Sequence, residues 1–162
     1  MKCVNCLIYL CISGVLVFFL GRLTPKKWLL ESRFPFRAFS FEKDGRIYEK
    51  IKVHKWKTKV PDMSRLAAKI APKFMKKKAV ECGTSGEMKL LVKETCIAEL
   101  AHAVSALSGI ACIFIWRGAG GACFSVLWIL FNLVFIVIQR YNRPRLQKML
   151  KMLELREARN AF

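Results

Sequence analysis

Three observations predict a mostly α-helical integral membrane protein with about three transmembrane helices. Three apolar runs, Val4 to Gly21, roughly Leu100 to Trp116, and Ala122 to Ile138, reach the length that crosses the ~30 Å hydrocarbon core. Hydrophobic residues make up 54% of the 162, with mean hydropathy +0.29, which excludes a disordered chain. The net charge is nevertheless +18, so apolar and basic residues are segregated along the chain. The segments are an N-terminal anchor (1–21), a basic cytoplasmic region of α-helical and irregular structure (22–93), a helical hairpin (94–143) and a C-terminal amphipathic helix (144–162).

The first run follows a single Lys2. It is longer than a usual signal-peptide core and no A-x-A-like site follows, so it reads as an uncleaved anchor, with a cleaved signal as the alternative.

The polar block, Arg22 to Lys93, holds 20 of the 29 basic residues. Trp28, Phe34, Phe36, Phe39 and Phe41 suit the headgroup level, with neighbouring Lys and Arg reaching for phosphates. Asp44-Gly45 is a turn signal. Arg46 to Val53 alternates in part, which predicts a short strand or extended segment. Ser64 caps a predicted helix over Arg65 to Ile70, which Pro72 ends or kinks. Lys76, Lys77 and Lys78 form a solvated face, and Gly83 to Gly86 is a loop.

A helix begins near Gly86 and runs from amphipathic into apolar without a break. Arg117 to Gly121 is a tight connection, so the second and third spans form a hairpin. The third span ends in Gln139, Arg140, Tyr141, Asn142, Arg143 and Arg145, and Pro144 opens a new helix. There Leu146, Met149, Leu150 and Leu153 recur at i, i+3, i+4, i+7, the pattern of an interfacial amphipathic helix.

Cations flank the spans asymmetrically. Arg22, Lys26 and Lys27 follow the first, Arg117 alone marks the hairpin tip, and Arg140, Arg143 and Arg145 follow the third. By the positive-inside rule the basic region and C-terminus are cytoplasmic, in a multi-pass protein of the cell membrane. The expected partners are the lipid bilayer, anionic headgroups and phosphate-bearing substrates, with no nucleic acid. Seven cysteines, mostly in or beside apolar runs, do not form a disulfide framework. Cys3-x-x-Cys6 lacks a second pair, so no metal is expected.

Four groups carry chemistry to that surface. In Glu94-Thr95-Cys96-x-x-Glu99-x-x-His102, Glu99 and His102 share a helix face, and Glu94 lies roughly in line. A carboxylate beside a histidine raises its basicity, as activation of a hydroxyl requires; a helix-stabilising pair at the interface is the plainer alternative. Arg140, Arg143 and Arg145, with Gln139, Tyr141 and Asn142, suit a phosphate through arginine forks. His54, Lys55, Trp56 and Lys57 form a third group and Glu42 to Glu49 a fourth. A hairpin brings the start of span two and the end of span three to one depth, so Arg140 and His102 are expected close together. A P-loop, G-x-G-x-x-G, G-x-S-x-G and the His-x-x-x-x-Asp of other acyltransferases are all absent.

The order and spacing of F-E-x-D-G-x-I-Y-E (Phe41–Glu49), K-W-K-x-K-x-P-D (Lys55–Asp62), E-T-C-x-A-E-x-x-H (Glu94–His102) and I-Q-R-Y-N-R-x-R-L (Ile138–Leu146) resemble the glycosyl-4,4'-diaponeurosporenoate acyltransferase family. The basic tract around Lys73 to Lys78 lies outside that pattern. The resemblance implies transfer of a fatty acyl chain to a sugar hydroxyl of a glycosylated carotenoid, towards staphyloxanthin-type pigments. On chemical grounds His102, supported by Glu99 and Glu94, is the expected base. The arginines with Lys55 and Lys57 are expected to hold the phosphates of an acyl-CoA or acyl-carrier donor, with no tightly bound cofactor. The alternatives are a non-enzymatic protein whose basic face binds anionic lipid or a partner, and another lipid-modifying enzyme with a phosphate-linked donor.

Overall fold

The computed structural model describes residues 1–25, 32–60 and 83–160. The expected helix over Arg65 to Ile70, Trp28 and the lysines at 76–78 lie outside them. The described residues form helices, 3-10 turns and loops, with no strand among them. Among the described residues, three helices are long and apolar enough to cross a membrane, as the sequence predicts.

The first, α1 (Lys2–Leu23), ends at Thr24, whose N–H and hydroxyl both bond to the Leu20 carbonyl. Two short helices, α2 (Arg46–Lys50) and α3 (Val53–Trp56), follow a 3-10 turn over Ser40–Gly45. The second long helix, α4 (Ser85–Ser108), starts at a cap: Thr84 Oγ1 accepts from the Glu87 N–H, and Glu87 accepts in return from the Gly83 N–H. It continues through a 3-10 turn (Gly109–Ala111) into α5 (Cys112–Ile115). After a turn at Gly118, with φ +103°, α6 runs for 42 residues from Ala119 to Asn160.

Helices α4 and α6 are antiparallel arms of one hairpin. Trp128 Nε1 donates to the Ser105 carbonyl near the tip, and Leu150 packs on Met88 and Val92 at the far end. Helix α1 lies antiparallel along α4: Tyr9 donates to the Ser108 carbonyl, Cys6 is buried with Cys112, and Gly21 faces Ile97. Arg22 at the end of α1 pairs with Glu94 of α4 at 3.8 Å, and five residues further along α4 Glu99 pairs with Arg140 of α6 at 2.7 Å.

Two expectations are corrected. Arg46 to Val53 is not a strand: Lys52, with φ +54°, turns the chain between α2 and α3. Tyr48 and Val53 are the residues buried, against Tyr141, while Ile47 and Ile51 of the alternating pattern are exposed. Second, Pro144 opens no new helix and sits inside α6. A mid-helix proline costs about 3 kcal/mol, offset here because both flanking turns are anchored to α4. Leu146, Leu150 and Leu153 pack on Met88, Leu91 and Val92, and Glu154 pairs with Lys89 at 3.2 Å. That apolar stripe serves the hairpin and does not lie free on an interface.

Candidate active site

Two polar layers cross the hairpin. The outer one is built on Glu99 of α4, 6% exposed, and on Arg140 and Arg143, one turn apart on α6. Arg140 Nε donates to Glu99 at 2.7 Å, and Arg143 Nη2 bonds the other Glu99 oxygen. Arg143, 4% exposed, also donates to Thr95 Oγ1 at 2.9 Å and to the Phe36 carbonyl at 2.7 Å. Arg140 reaches Glu42 at 2.8 Å and the Pro35 carbonyl at 2.6 Å. Tyr48 donates to Glu42, as does the Phe39 N–H at 2.7 Å. Burial raises the Glu42 pKa, but the bonds from Tyr48, Arg140 and Phe39 outweigh it and hold the carboxyl below its ordinary value. Burial and the same carboxylate push the Tyr48 phenol up. Two carboxylates thus balance two guanidinium groups and pin the segment around Phe36 and Glu42 onto the hairpin.

The inner layer lies one turn deeper on α4. His102 Nδ1 is 3.0 Å from Asn132 Oδ1, and the ring stacks on Phe135 with centroids 4.6 Å apart. Asn132, 2% exposed, donates its Nδ2 to the Trp128 carbonyl at 2.9 Å. Its Oδ1 is therefore left to accept, which assigns the His102 proton to Nδ1. Nε2 carries the lone pair and has no hydrogen-bond partner among the described residues.

These layers revise the expected roles. Glu99 does not orient His102, because α6 presents arginines at the level of Glu99 and an amide one turn deeper. Nor does Arg140 meet His102: Asn132 stands eight residues away, about 12 Å of helix rise. The phosphate site expected at Arg140 and Arg143 is also replaced, since protein acceptors take up both forks.

The remaining candidates divide by location. Glu94 forms an ion pair with Arg22 of α1 at 3.8 Å. Tyr141 is buried, with Arg145 3.7 Å and Lys57 4.7 Å from its ring centre. Lys57 donates to Asn142 Oδ1 at 2.8 Å. Trp56 Nε1 donates to the Ile51 carbonyl, while His54 and Lys55 point to solvent on α3. Gln139 is half-buried on α6. Asn132 escapes sequence reasoning based on charge, although an amide inside an apolar span is itself a signal. Glu42 and Tyr48 stand in a recognised motif, but nothing local shows that they meet Arg140.

A family model described as glycosyl-4,4'-diaponeurosporenoate acyltransferase matches residues 25–152. The chain belongs to this family. Two proteins of that name, from Staphylococcus aureus strains bovine RF122 / ET3-1 and N315, are each 32% identical over 160 residues, covering 96% of this chain and 92% of theirs. A third, from strain MRSA252, is 31% identical over 157 residues, with the same coverage. No solved structure matches the chain. Membership of the glycosyl-4,4'-diaponeurosporenoate acyltransferase family makes the chain an acyltransferase, and both polar layers fall within the matched residues.

Proposed function

We propose that this acyltransferase moves a fatty acyl chain from a thioester donor, acyl-CoA or an acyl carrier, to a hydroxyl of a glycosylated carotenoid or similar glycolipid. The relatives are named for a glycosyl diaponeurosporenoate, which supports that acceptor. The reaction belongs at the cytoplasmic face of the cell membrane, where the basic segments gather and anionic headgroups surround them. The bilayer holds both lipid tails.

One observation carries the mechanism: the Nδ1 proton of His102 is fixed by Asn132, and Nε2 is left as an available base. Nε2 takes the proton of the acceptor hydroxyl as its oxygen attacks the thioester carbonyl. The new C–O bond forms, the C–S bond breaks, and His102 returns the proton to the departing thiolate. Asn132 holds the imidazole in its productive tautomer and orientation, and Phe135 fixes the ring plane. Glu99, Arg140 and Arg143 stay outside the chemistry and set the hairpin's register.

The test is acyl transfer from lauroyl-CoA to a glucosylated carotenoid acid by the full chain in detergent. His102→Ala is expected to lower kcat by roughly 10²–10⁴-fold, the range for a general base. Full transfer by that variant overturns the mechanism.

A further inference from the structure

On the side of α6 that carries α2, Arg46, Glu49, Pro144, Arg145 and Lys148 line an open cleft of about 190 Å³. Three cations there face one carboxylate. Arg145 is held rigidly: Nη2 donates to Glu49 at 2.6 Å, Nη1 to the Tyr141 carbonyl at 3.1 Å, and the guanidinium stacks over the buried Tyr141 ring. Arg46 and Lys148 are exposed and have no ion-pair partner among the described residues. Lys57 crowds the same tyrosine, where burial, then the Arg145 charge, lowers its pKa. The arginines of the hairpin layer are neutralised by Glu42 and Glu99, whereas this cluster keeps an excess of positive charge. Like charges gathered around one ring repel each other unless an anion joins them.

The height of the cleft bears on which anion. Arg145 stands seven residues beyond Ile138, the end of the apolar run, which is about 10 Å of helix rise. The headgroup layer is only ~5–8 Å deep on each side of the hydrocarbon core. The cleft therefore opens at the outer edge of the headgroups or in water.

We propose that this cleft binds the phosphate groups of a water-soluble phosphate ester, with the exposed Arg46 and Lys148 as its ligating cations and Arg145, held by Glu49 and the Tyr141 carbonyl, as a fixed charge at its wall. Naming that ester as the phosphopantetheine-bearing acyl donor rests on the transfer reaction proposed above. Anion binding does not depend on it. The ligand role that Arg140 and Arg143 lose thus passes to Arg46 and Lys148, with Arg145 supplying charge beside them.

Titration calorimetry of coenzyme A into the purified full chain in zwitterionic detergent tests the cleft. Arg46→Gln combined with Lys148→Gln is expected to weaken binding by about tenfold or more, the loss of a charge-assisted contact. Lys50→Gln, exposed on α2 but outside the cleft, is expected to leave affinity unchanged. An equal loss in Lys50→Gln reports diffuse attraction and overturns the proposal, as does unchanged affinity in the double variant. A second arm compares phosphatidylcholine nanodiscs with and without phosphatidylglycerol. If coenzyme A fails to bind, and phosphatidylglycerol raises the Tm of the wild type but not of the double variant, the phosphate comes from a lipid and the soluble assignment falls. Binding by neither probe overturns the site itself. Coenzyme A binding by His102→Ala separates the two readings, because binding tests the cleft and transfer tests the base.

Discussion

Asn132 Oδ1 lies 3.0 Å from His102 Nδ1, joining the two arms of the membrane hairpin below the Glu99–Arg140 ion pair. Thirty positions separate the two residues, and only the antiparallel packing of α4 on α6 brings them together. The bond fixes the tautomer and orientation of the imidazole, but a neutral amide does not add the basicity expected from a neighbouring carboxylate. An amide is cheaper than a charge at that depth.

Asn132→Ala is therefore expected to lower kcat by roughly 10²-fold, with the acceptor KM little changed, because the base loses its tautomer and aim but not its presence. Steady-state kinetics at several pH values read this directly. A wild-type kcat in the variant removes Asn132 from the mechanism.

Glu99→Ala leaves Arg140 and Arg143 without their shared carboxylate inside the hairpin. Removing one partner of a buried ion pair costs about 3–5 kcal/mol. Thermal unfolding in detergent should show a large fall in Tm for this variant. Glu157→Ala, which loses only an exposed bond to the Ser85 N–H, should show almost none.

Acid should loosen the segment held by Glu42. Its carboxyl pKa is depressed in the folded chain, so the stabilisation is full above the ordinary carboxylate pKa and is lost as pH falls through the folded value. Tm measured from pH 7 downwards should drop in the wild type, and Glu42→Gln should flatten that acid limb. Equal acid limbs in both proteins would mean that other carboxylates dominate.

At the tip, Gly121 has no room for a side chain, because an added Cβ would strike the backbone carbonyls of Cys112 and Trp116. At Gly109 the added atom would sit 2.6 Å from Trp128 Cδ1. Gly109→Ala is expected to cost about 1–3 kcal/mol, and to shift tryptophan emission as Trp128 leaves the Ser105 carbonyl. Gly121→Ala should be worse, since backbone yields less readily than a side chain. Equal stability of the two variants would contradict the packing at the tip.

Much of the architecture is legible because hydrophobic length is a local property. The runs at Val4 to Gly21 and Ala122 to Ile138 declare their helices, and Arg117-Gly118 declares the turn, although the helix resumes at Ala119, before Gly121. The motif strings also mark the residues that meet, since Glu42, Tyr48, Thr95, Glu99, Arg140 and Arg143 all fall within them. Their partners are not legible. Glu99 and His102 point to one neighbouring helix, but which α6 residue stands at each height depends on the axial register of the pair. The same register keeps Pro144 inside a helix, by anchoring Arg143 before it and Leu150 after it.

The sequence by itself determined the helical class, the helices long and apolar enough to cross a membrane, the hairpin and the family to which the chain belongs. These follow from composition, run length and ordered motifs, which need no knowledge of distant contacts. The tertiary structure alone decided the division of labour among the polar groups. Arg140 and Arg143 became framework, His102 took Asn132, and Arg145 was paired with Glu49 at the edge of a cleft where Arg46 and Lys148 stay exposed. The reason is steric and electrostatic: charges buried between two helices must be paired by whatever the opposite helix presents at that level, and one helical turn changes what that is.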